Sequence, residues 1–331
     1  MTPPSTNGSH PEETVLLCYD GSQESANAIA RAGELLDARR AVVANVWLGI
    51  SMMTLHAPLA GPPTGAIAEG ASMIDESDRD RAEKCVAEGV ELAEGAGFDA
   101  RPAALHQKRN VWWTLSEYVN EHHVSAIVVG ARGRSRIAST LLGSVSSGLV
   151  HHAPAPVLVV PATATTTSEG PVMFCDDGSD NARQAISRGR ALFRGAGIVV
   201  CLWHSWLVNV PYMVVGVGVG VGVGMAQEID EAAEVQAQKT AAEGAEAGSA
   251  LYGECQSECV RFDGPSWRGL LDTANDRGAA AVVAGSRGLT GIAGALGSVS
   301  GAMAQHSPRP VLVVPPAGET SAPAGPEHGL S

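Results

Sequence analysis

Two stretches of the chain place glycines and small hydroxyl residues at a spacing suited to holding phosphate. The first reads Gly130-Ala131-Arg132-Gly133, then nine residues, then Gly143-Ser144-Val145-Ser146. The second reads Gly285-Ser286-Arg287-Gly288, then eight residues, then Gly297-Ser298-Val299-Ser300. A glycine lets the main chain approach a ligand with no Cβ in the way. A Gly-Ser step that opens a helix offers unpaired N–H groups and the positive end of the helix dipole, and both favour an anion. The hydroxyls of Ser144 and Ser146 add donors. Each stretch follows an apolar run, AIVV before Gly130 and AVVA before Gly285, so each turn leaves the end of a buried strand. A single such turn would do no more than tighten a strand–helix junction; the full spacing, met twice after a strand, favours phosphate. Neither copy is a P-loop, because no Gly-Lys-Ser/Thr follows. Arg132 and Arg287 sit inside the turns, where an arginine meets either phosphate or solvent.

The elements that position these turns recur with them. Asp20-Gly21-Ser22 returns as Asp177-Gly178-Ser179, and the closing strand APVLVVP (155–161) returns as RPVLVVP (309–315). A near-constant offset over most of the chain marks two copies of one domain. The expected division is a disordered start at 1–13, a first domain at 14–161, a polar linker at 162–170, a second domain at 171–315 and a disordered tail at 316–331. In the first copy, TVLLCYD (14–20) reads as a buried strand, and Ser22 caps a helix with Glu24 in its first turn. AVVANVW (41–47) is the second strand, a Gly/Pro-rich loop runs over about 48–74, and a polar helix covers 75–96. FDARPAAL (98–105) is a third strand placed at an edge by Pro102, which has no N–H to give. A helix from Trp112 to His123 precedes the last two strands. The second copy follows the same order, with IVVCLW (198–203) as its second strand and a Gly-Val tract in its long loop. Near-continuous apolar strands alternating with helices mean a parallel sheet covered on both faces. In such a sheet ligands sit beyond the carboxyl ends of the strands where the order reverses, so Asp20 and Gly130 face one crevice.

Composition narrows the partners. The net charge of -13 argues against a nucleic-acid partner, since phosphate backbones select basic surfaces. The six cysteines show no paired metal spacing; Cys255 and Cys259 lie four apart and would share a face of a helix, but two thiols alone make no structural zinc site. The start MTPPSTNGSHPEE lacks the basic and apolar regions of a signal peptide, which leads to the expectation of a cytoplasmic protein. The uncharged run 206–225 is about as long as a membrane span, but it holds Pro211 and five glycines, which favours a segment inside the domain. The adjacent pairs His122-His123 and His151-His152 read as surface or helix-end residues, and Trp47 and Trp203 as packing residues at the ends of their strands. Asp20 has no evident nucleophile or base beside it, so a ligand contact or a capping role fits it better than catalysis.

The strand-one aspartate, the Gly-x-Arg-Gly turn, the Gly-Ser-Val-Ser segment and the closing PVLVVP together resemble the universal stress protein family, whose ATP-binding members carry Gly-x2-Gly-x9-Gly-Ser/Thr. The resemblance covers about Thr14 to Pro315. It implies two tandem Rossmann-like (adenine nucleotide α-hydrolase-like) α/β domains, each a five-stranded parallel sheet with strand order 3-2-1-4-5 and helices on both faces. It also implies pairing of the halves through their fifth strands into an intramolecular pseudo-dimer, with further homodimerisation open. The implied ligand is ATP with Mg, one or two per chain. In the first copy Cys18, Asp20 and Val46 would lie around adenine and ribose, Val129 and Gly130 would border the ribose, and Gly133, Gly143, Ser144, Val145 and Ser146 would cradle the phosphates. The matching positions of the second copy are Cys175, Asp177, Leu202, Ala284, Gly285, Gly288, Gly297, Ser298, Val299 and Ser300. There the eight-residue spacer departs from the family pattern, and it shortens or rotates the path between the phosphate-contacting turns. The implied role is nucleotide-dependent regulation in a stress response through an unknown protein partner, with weak ATPase activity at most. The alternatives are a nucleotide-free scaffold, an ATP-using enzyme of the related α-hydrolase-like fold, whose SGGxDS or HxGH signatures are not found after strand one, and a flavin- or AMP-holding electron-transfer module.

Overall fold

Short runs of β-branched and small apolar residues, each ended by Gly, Asp or Pro, build the strands; longer runs with apolar residues at helical spacing build the helices between them. The computed structural model describes residues 13–49, 66–133, 142–162, 169–205, 219–288 and 296–317. The expected disordered start and tail, the linker, the loop after each second strand and the spacers that follow both glycine turns therefore lie mostly outside the described residues. The first half runs β1 (Thr14–Cys18), α1 (Gln23–Leu35), β2 (Arg40–Trp47), α2 (Ala66–Gly95), β3 (Asp99–His106), α3 (Val111–His122), β4 (Ala126–Gly130), α4 (Ser144–His152) and β5 (Val157–Val160). The second runs β6 (Val172–Cys175), α5 (Asp180–Leu192), β7 (Gly197–Trp203), α6 (Val219–Tyr252), β8 (Cys255–Arg261), α7 (Ser266–Asp276), β9 (Ala281–Gly285), α8 (Ser298–His306) and β10 (Val311–Val314).

All ten strands form one sheet in the order β3-β2-β1-β4-β5-β10-β9-β6-β7-β8. Each half is parallel throughout, in the order implied by the family resemblance, and the halves join antiparallel at β5 and β10. Pro102 lies on edge strand β3, as its missing N–H requires. Helices α1, α2, α5 and α6 pack Ile29, Val86, Ile186 and Ala245 on one face of the sheet. Helices α3, α4, α7 and α8 pack Leu115, Leu149, Leu270 and Met303 on the other.

The seam between the halves is a local two-fold. Leu158 pairs with Leu312, its own repeat equivalent, and both are fully buried. On the α1/α5 face, Leu36 forms an antiparallel bridge with its equivalent Phe193. Two main-chain bonds flank that bridge, Asp37 N–H to Leu192 O at 2.8 Å and Arg194 N–H to Leu35 O at 3.0 Å. The Arg194–Asp37 ion pair, 3.3 Å, lies at its rim. The helix C-termini that meet here thus satisfy carbonyls that would otherwise be orphaned.

Two helices begin earlier than the sequence suggests. Helix α2 starts at Ala66 rather than 75, and α6 starts at Val219, inside the Gly-Val tract expected to be loop. The cause is the same in both. A helix nucleated in the Ala/Glu-rich stretch downstream gains one hydrogen bond per residue as it extends backward, against about 1 kcal/mol for each glycine of the Gly-Val tract, and no proline follows Pro63 or Pro211 to stop it. The shared-face argument for Cys255 and Cys259 also changes its basis: both lie on β8, where a spacing of four keeps one face through the period of two. No helix among the described residues is long and apolar enough to cross a membrane.

Truncating the central pair tests the seam. Leu158→Ala and Leu312→Ala should each cost about 2–5 kcal/mol in denaturant unfolding. The double variant should cost less than the sum, because the two side chains share one contact. Simple additivity would show that the pair does not couple the halves.

Candidate functional site

At the carboxyl end of β1 the chain turns through Tyr19, Asp20 and Gly21 into α1, with Gly21 at φ 80°, a left-handed conformation that favours glycine. Ser22 caps α1 by accepting from Ser25 N–H at 3.2 Å. The Asp20 carboxylate is fixed by the same turn. Its Oδ1 accepts from Ser22 N–H at 3.0 Å and from the Ser25 hydroxyl at 2.8 Å. Asn45 on β2 donates to Tyr19 O at 2.7 Å and holds the turn from the neighbouring strand. Opposite lies the turn after β4. A Cβ on Gly130 would stand 3.0 Å from Arg132 O and 3.2 Å from Glu24 O, and one on Gly133 only 2.6 Å from Asp20 Oδ2. Both positions therefore need glycine for close approach, the second specifically to seat the strand-one aspartate.

Helix α4 begins at Gly143 without a side-chain cap, unlike α1 and α3, which Ser22 and Asn110 cap. Gly143 N–H is itself bonded to Ala131 O at 2.9 Å, and Ser147 N–H reaches back to Gly143 O. The amides of Ser144, Val145 and Ser146 are the first-turn donors left at this end. The Ser146 hydroxyl differs from expectation. It is buried and donates to Gly130 O at 2.7 Å, so it ties the helix start to the glycine turn and does not offer its proton to a ligand. Ser144 is exposed.

Every first-copy residue named from the sequence, from Cys18 to Ser146, lines one cavity of about 250 Å³. Arg132 lines it too, while Ala44, Asn45, Val46, Val111, Leu115 and Val129 make its inner wall. Burial pushes the Cys18 thiol up to about 12, with the Asp20 charge adding to the effect, so Cys18 is a neutral, apolar part of that wall.

The second copy builds the same cradle with different supports. All its named residues, Cys175 to Ser300, line a cavity of about 480 Å³ together with Arg287, Val200, Ser266, Leu270 and Met303. Gly297 opens α8 with no side-chain cap, and a Cβ on Gly288 would stand 2.7 Å from Asp177 Oδ2. Ser300 is buried like Ser146, its hydroxyl 3.3 Å from Ser286 O. The turn itself is clamped by Asn181, which accepts from Arg287 N–H at 2.9 Å and donates to Val314 O at 3.3 Å. Ala182 stands where the first copy has Ser25, and the buried Asp176 replaces Tyr19. Asp176 is paired with Arg183 at 2.9 Å, yet burial still raises its carboxyl above the ordinary range.

Sequence reasoning missed Ser25, Asn45, Val111 and Leu115 in the first cavity, Ser266 and Met303 in the second, and Asn181 as the support of the second glycine turn. The repeat offset carries a signal for some of them, since Val111 and Ser266 open equivalent helices. The histidine pairs are helix-end residues, and one of these histidines, like its equivalent in the second copy, also stacks on a tryptophan. His152 lies over Trp112 with ring centroids 4.8 Å apart, and His306 over Trp267 at 5.0 Å.

Comparison with known proteins agrees with this architecture. A universal stress protein of Mycolicibacterium smegmatis is 29% identical over 329 residues, covering 92% of this chain and 98% of its own. A universal stress protein of Thermus aquaticus matches at 32% over 151 residues, 98% of its length but 45% of this chain, as one copy of a doubled domain would. Among solved structures, a universal stress protein from Archaeoglobus fulgidus superposes with a TM-score of 0.54 at 18% identity, covering 92% of this chain and 99% of that one. The profile of the universal stress protein family matches residues 12–161 and again 170–315, and the chain belongs to that family as a tandem of two of its domains.

Proposed function

We propose that each half binds an adenine nucleotide, ATP with Mg, and that the chain acts as a nucleotide-dependent regulatory binding protein in a stress response. The observation that carries this reading is the uncapped start of α4 facing the Gly130–Gly133 turn across a cavity whose inner wall is apolar but for Asn45. Main-chain amides without a side-chain cap, at the positive end of a helix, suit phosphate. The wall of Val46, Val111, Leu115 and Val129 suits a flat aromatic base, and the fixed Asp20 carboxylate suits ribose hydroxyls. Arg132 lies where it can meet phosphate charge. Asp20 has its Oδ1 held by two donors of its own turn, which supports a positioning role and a chain that holds nucleotide and turns it over slowly at most.

Calorimetric titration of nucleotide-stripped protein with Mg-ATP should give two sites per chain, because the second cavity presents the same uncapped helix and glycine turn. No heat at either site would remove the ATP reading and favour a nucleotide-free scaffold. At about 100-fold excess over Kd, ATP should raise stability by about 2.7 kcal/mol per linked site, seen as a higher melting temperature.

Gly143→Val combined with Ser144→Ala should reduce the stoichiometry from two to one with the fold intact. Gly143 has φ -63°, open to any residue, and a Cβ there meets nothing closer than 3.5 Å. Two undiminished sites in that protein would show that the α4 start does not hold phosphate.

A further inference from the structure

The second half carries a pair of thiols that the nucleotide reading does not use. Cys201 on β7 and Cys259 on β8 are Cα partners in neighbouring parallel strands, so their side chains leave the sheet on one face. Helix α6 covers that face. Cys201 is buried against Ala237 and Ala241 of the helix, and Cys259 and Trp203 pack on the same small cluster. The second cavity lies on the other face, where its wall takes Val200 and Leu202 from β7. Each thiol makes one weak hydrogen bond, Cys201 donating to Leu202 O and Cys259 to Glu234 O, both at 3.9 Å. In the first half the same register pairs Asn45 with Ala104, and Asn45 donates to Tyr19 O at 2.7 Å. The adjacent sulfurs are therefore a feature of the second half at this register.

We propose that Cys201 and Cys259 form a two-thiolate site for a soft monovalent cation, Cu(I), held in line between β7 and β8. In-register neighbours on adjacent strands stand about 4.8 Å apart. Two metal–sulfur bonds of about 2.3 Å, set end to end, span about 4.6 Å. A disulfide needs Cβ atoms about 3.8 Å apart, closer than that strand spacing. The donor set decides the metal. Thiolates select soft ions such as Cu(I), whereas calcium and magnesium take oxygen. A structural zinc site needs four ligands, and among the described residues no three histidines, cysteines or carboxylates gather to hold a metal. Burial pushes the Cys201 thiol up to about 12 and also raises Cys259, with the Glu234 and Glu258 charges adding to the second. Neither is a reactive thiolate by itself, but a coordinated cation deprotonates a thiol outright. Binding thus sends two protons to solvent and leaves a complex with one net negative charge. The Trp203 indole N–H is directed at the Cys259 sulfur and favours its charged form. Arg261, over the Trp203 ring at 5.7 Å, adds a positive charge beside it. Entry is from the margin of the sheet, where Cys259 is half-buried on edge strand β8 next to the exposed Glu234, whose charge draws a cation.

The test uses the full, reduced chain under oxygen-free conditions, with Cu(I) presented as its bicinchoninate complex. The chain should withdraw one ion, read as loss of the chelator's colour, because two ligands held in place compete where a lone thiol does not. X-ray absorption of the product should show two sulfur neighbours. Cys259→Ala, which copies the residue of the first half at the same register, should withdraw none and keep its melting temperature. Cys201→Ser should also withdraw none. Cys85→Ser and Cys255→Ser, which alter buried thiols outside the pair, should leave uptake at one ion. No uptake by the unaltered chain would overturn the inference. So would undiminished uptake by Cys259→Ala, or uptake that Cys85→Ser or Cys255→Ser abolishes. Three or four sulfurs around the ion would overturn it as well, since they require thiols beyond these two.

Discussion

The antiparallel pairing of Leu158 with Leu312 decides the arrangement of everything else. Each half is a parallel sheet, so the carboxyl ends of its strands all lie along one side. Joining the halves antiparallel sends those two sides in opposite directions, and the two glycine cradles open at opposite edges of one continuous sheet. The pairing also removes an exposed edge from each half, leaving β3 and β8 at the margins among the described residues. Pro102 helps protect the first of these. On one face the same symmetry brings α1 and α5 together through their C-termini, at Leu36 and Phe193. The N-termini of these helices carry Ser22 and Ser179, next to Asp20 and Asp177. The two aspartate turns therefore stand at the outer ends of a single pair of helices that meet at the two-fold.

Comparison of the copies separates what the cradle needs from what it tolerates. Both keep a glycine opposite the strand-one aspartate, a helix start without a side-chain cap, and a buried serine near the carbonyl of the turn. The first two features act through the main chain, and the serine ties its hydroxyl to a main-chain carbonyl of the turn. Both also keep a glycine in the long helix after the second strand. A Cβ on Gly89 would stand 2.7 Å from the Tyr19 ring, and one on Gly244 would stand 2.3 Å from Asp176 Oδ2. The residue before the aspartate differs completely in character, yet each time the helix passes close enough to require glycine. In the second copy that residue is a carboxylate paired with Arg183, which also reaches Glu243. The burial that raises the Asp176 pKa opposes its ionisation, and the arginine offsets part of that cost.

The glycine turns, the strand-end aspartates and the alternation of strands and helices were legible in the sequence because each depends on a local requirement: a missing Cβ, a capping oxygen or an apolar run. Ser25 and Asn45 were not legible as supports of Asp20, because their role follows from how α1 and β2 pack against the turn. Ser146 was misread as a free donor for a similar reason. Its spacing is right for phosphate, but the fold brings Gly130 O within 2.7 Å of its hydroxyl first. The starts of α2 and α6 were hidden in another way. The Gly-Val alternation has the period of a strand and the composition of a loop, and it is drawn into a helix by the Ala/Glu-rich stretch that follows. Local propensity there gives way to the cooperativity of a helix already formed.

The shortened spacer of the second copy shows how a main-chain cradle survives a deletion. Losing one residue between Gly288 and Gly297 threatens the path that sets the glycine turn against the helix start. The second copy holds that turn from the opposite side. Asn181, buried at the first turn of α5, grips Arg287 N–H with one end of its amide and Val314 O with the other, so the turn is tied both to the helix and to β10. In the first copy the equivalent residue is Glu24, and its main-chain carbonyl, not its side chain, lies against the Gly130 turn. The amide satisfies a half-buried donor and a buried acceptor at once, and leaving the buried carbonyl unpaired would cost the desolvation of that group. The second turn is therefore held from α5 and β10. The two glycine turns are thus kept alike through different side chains.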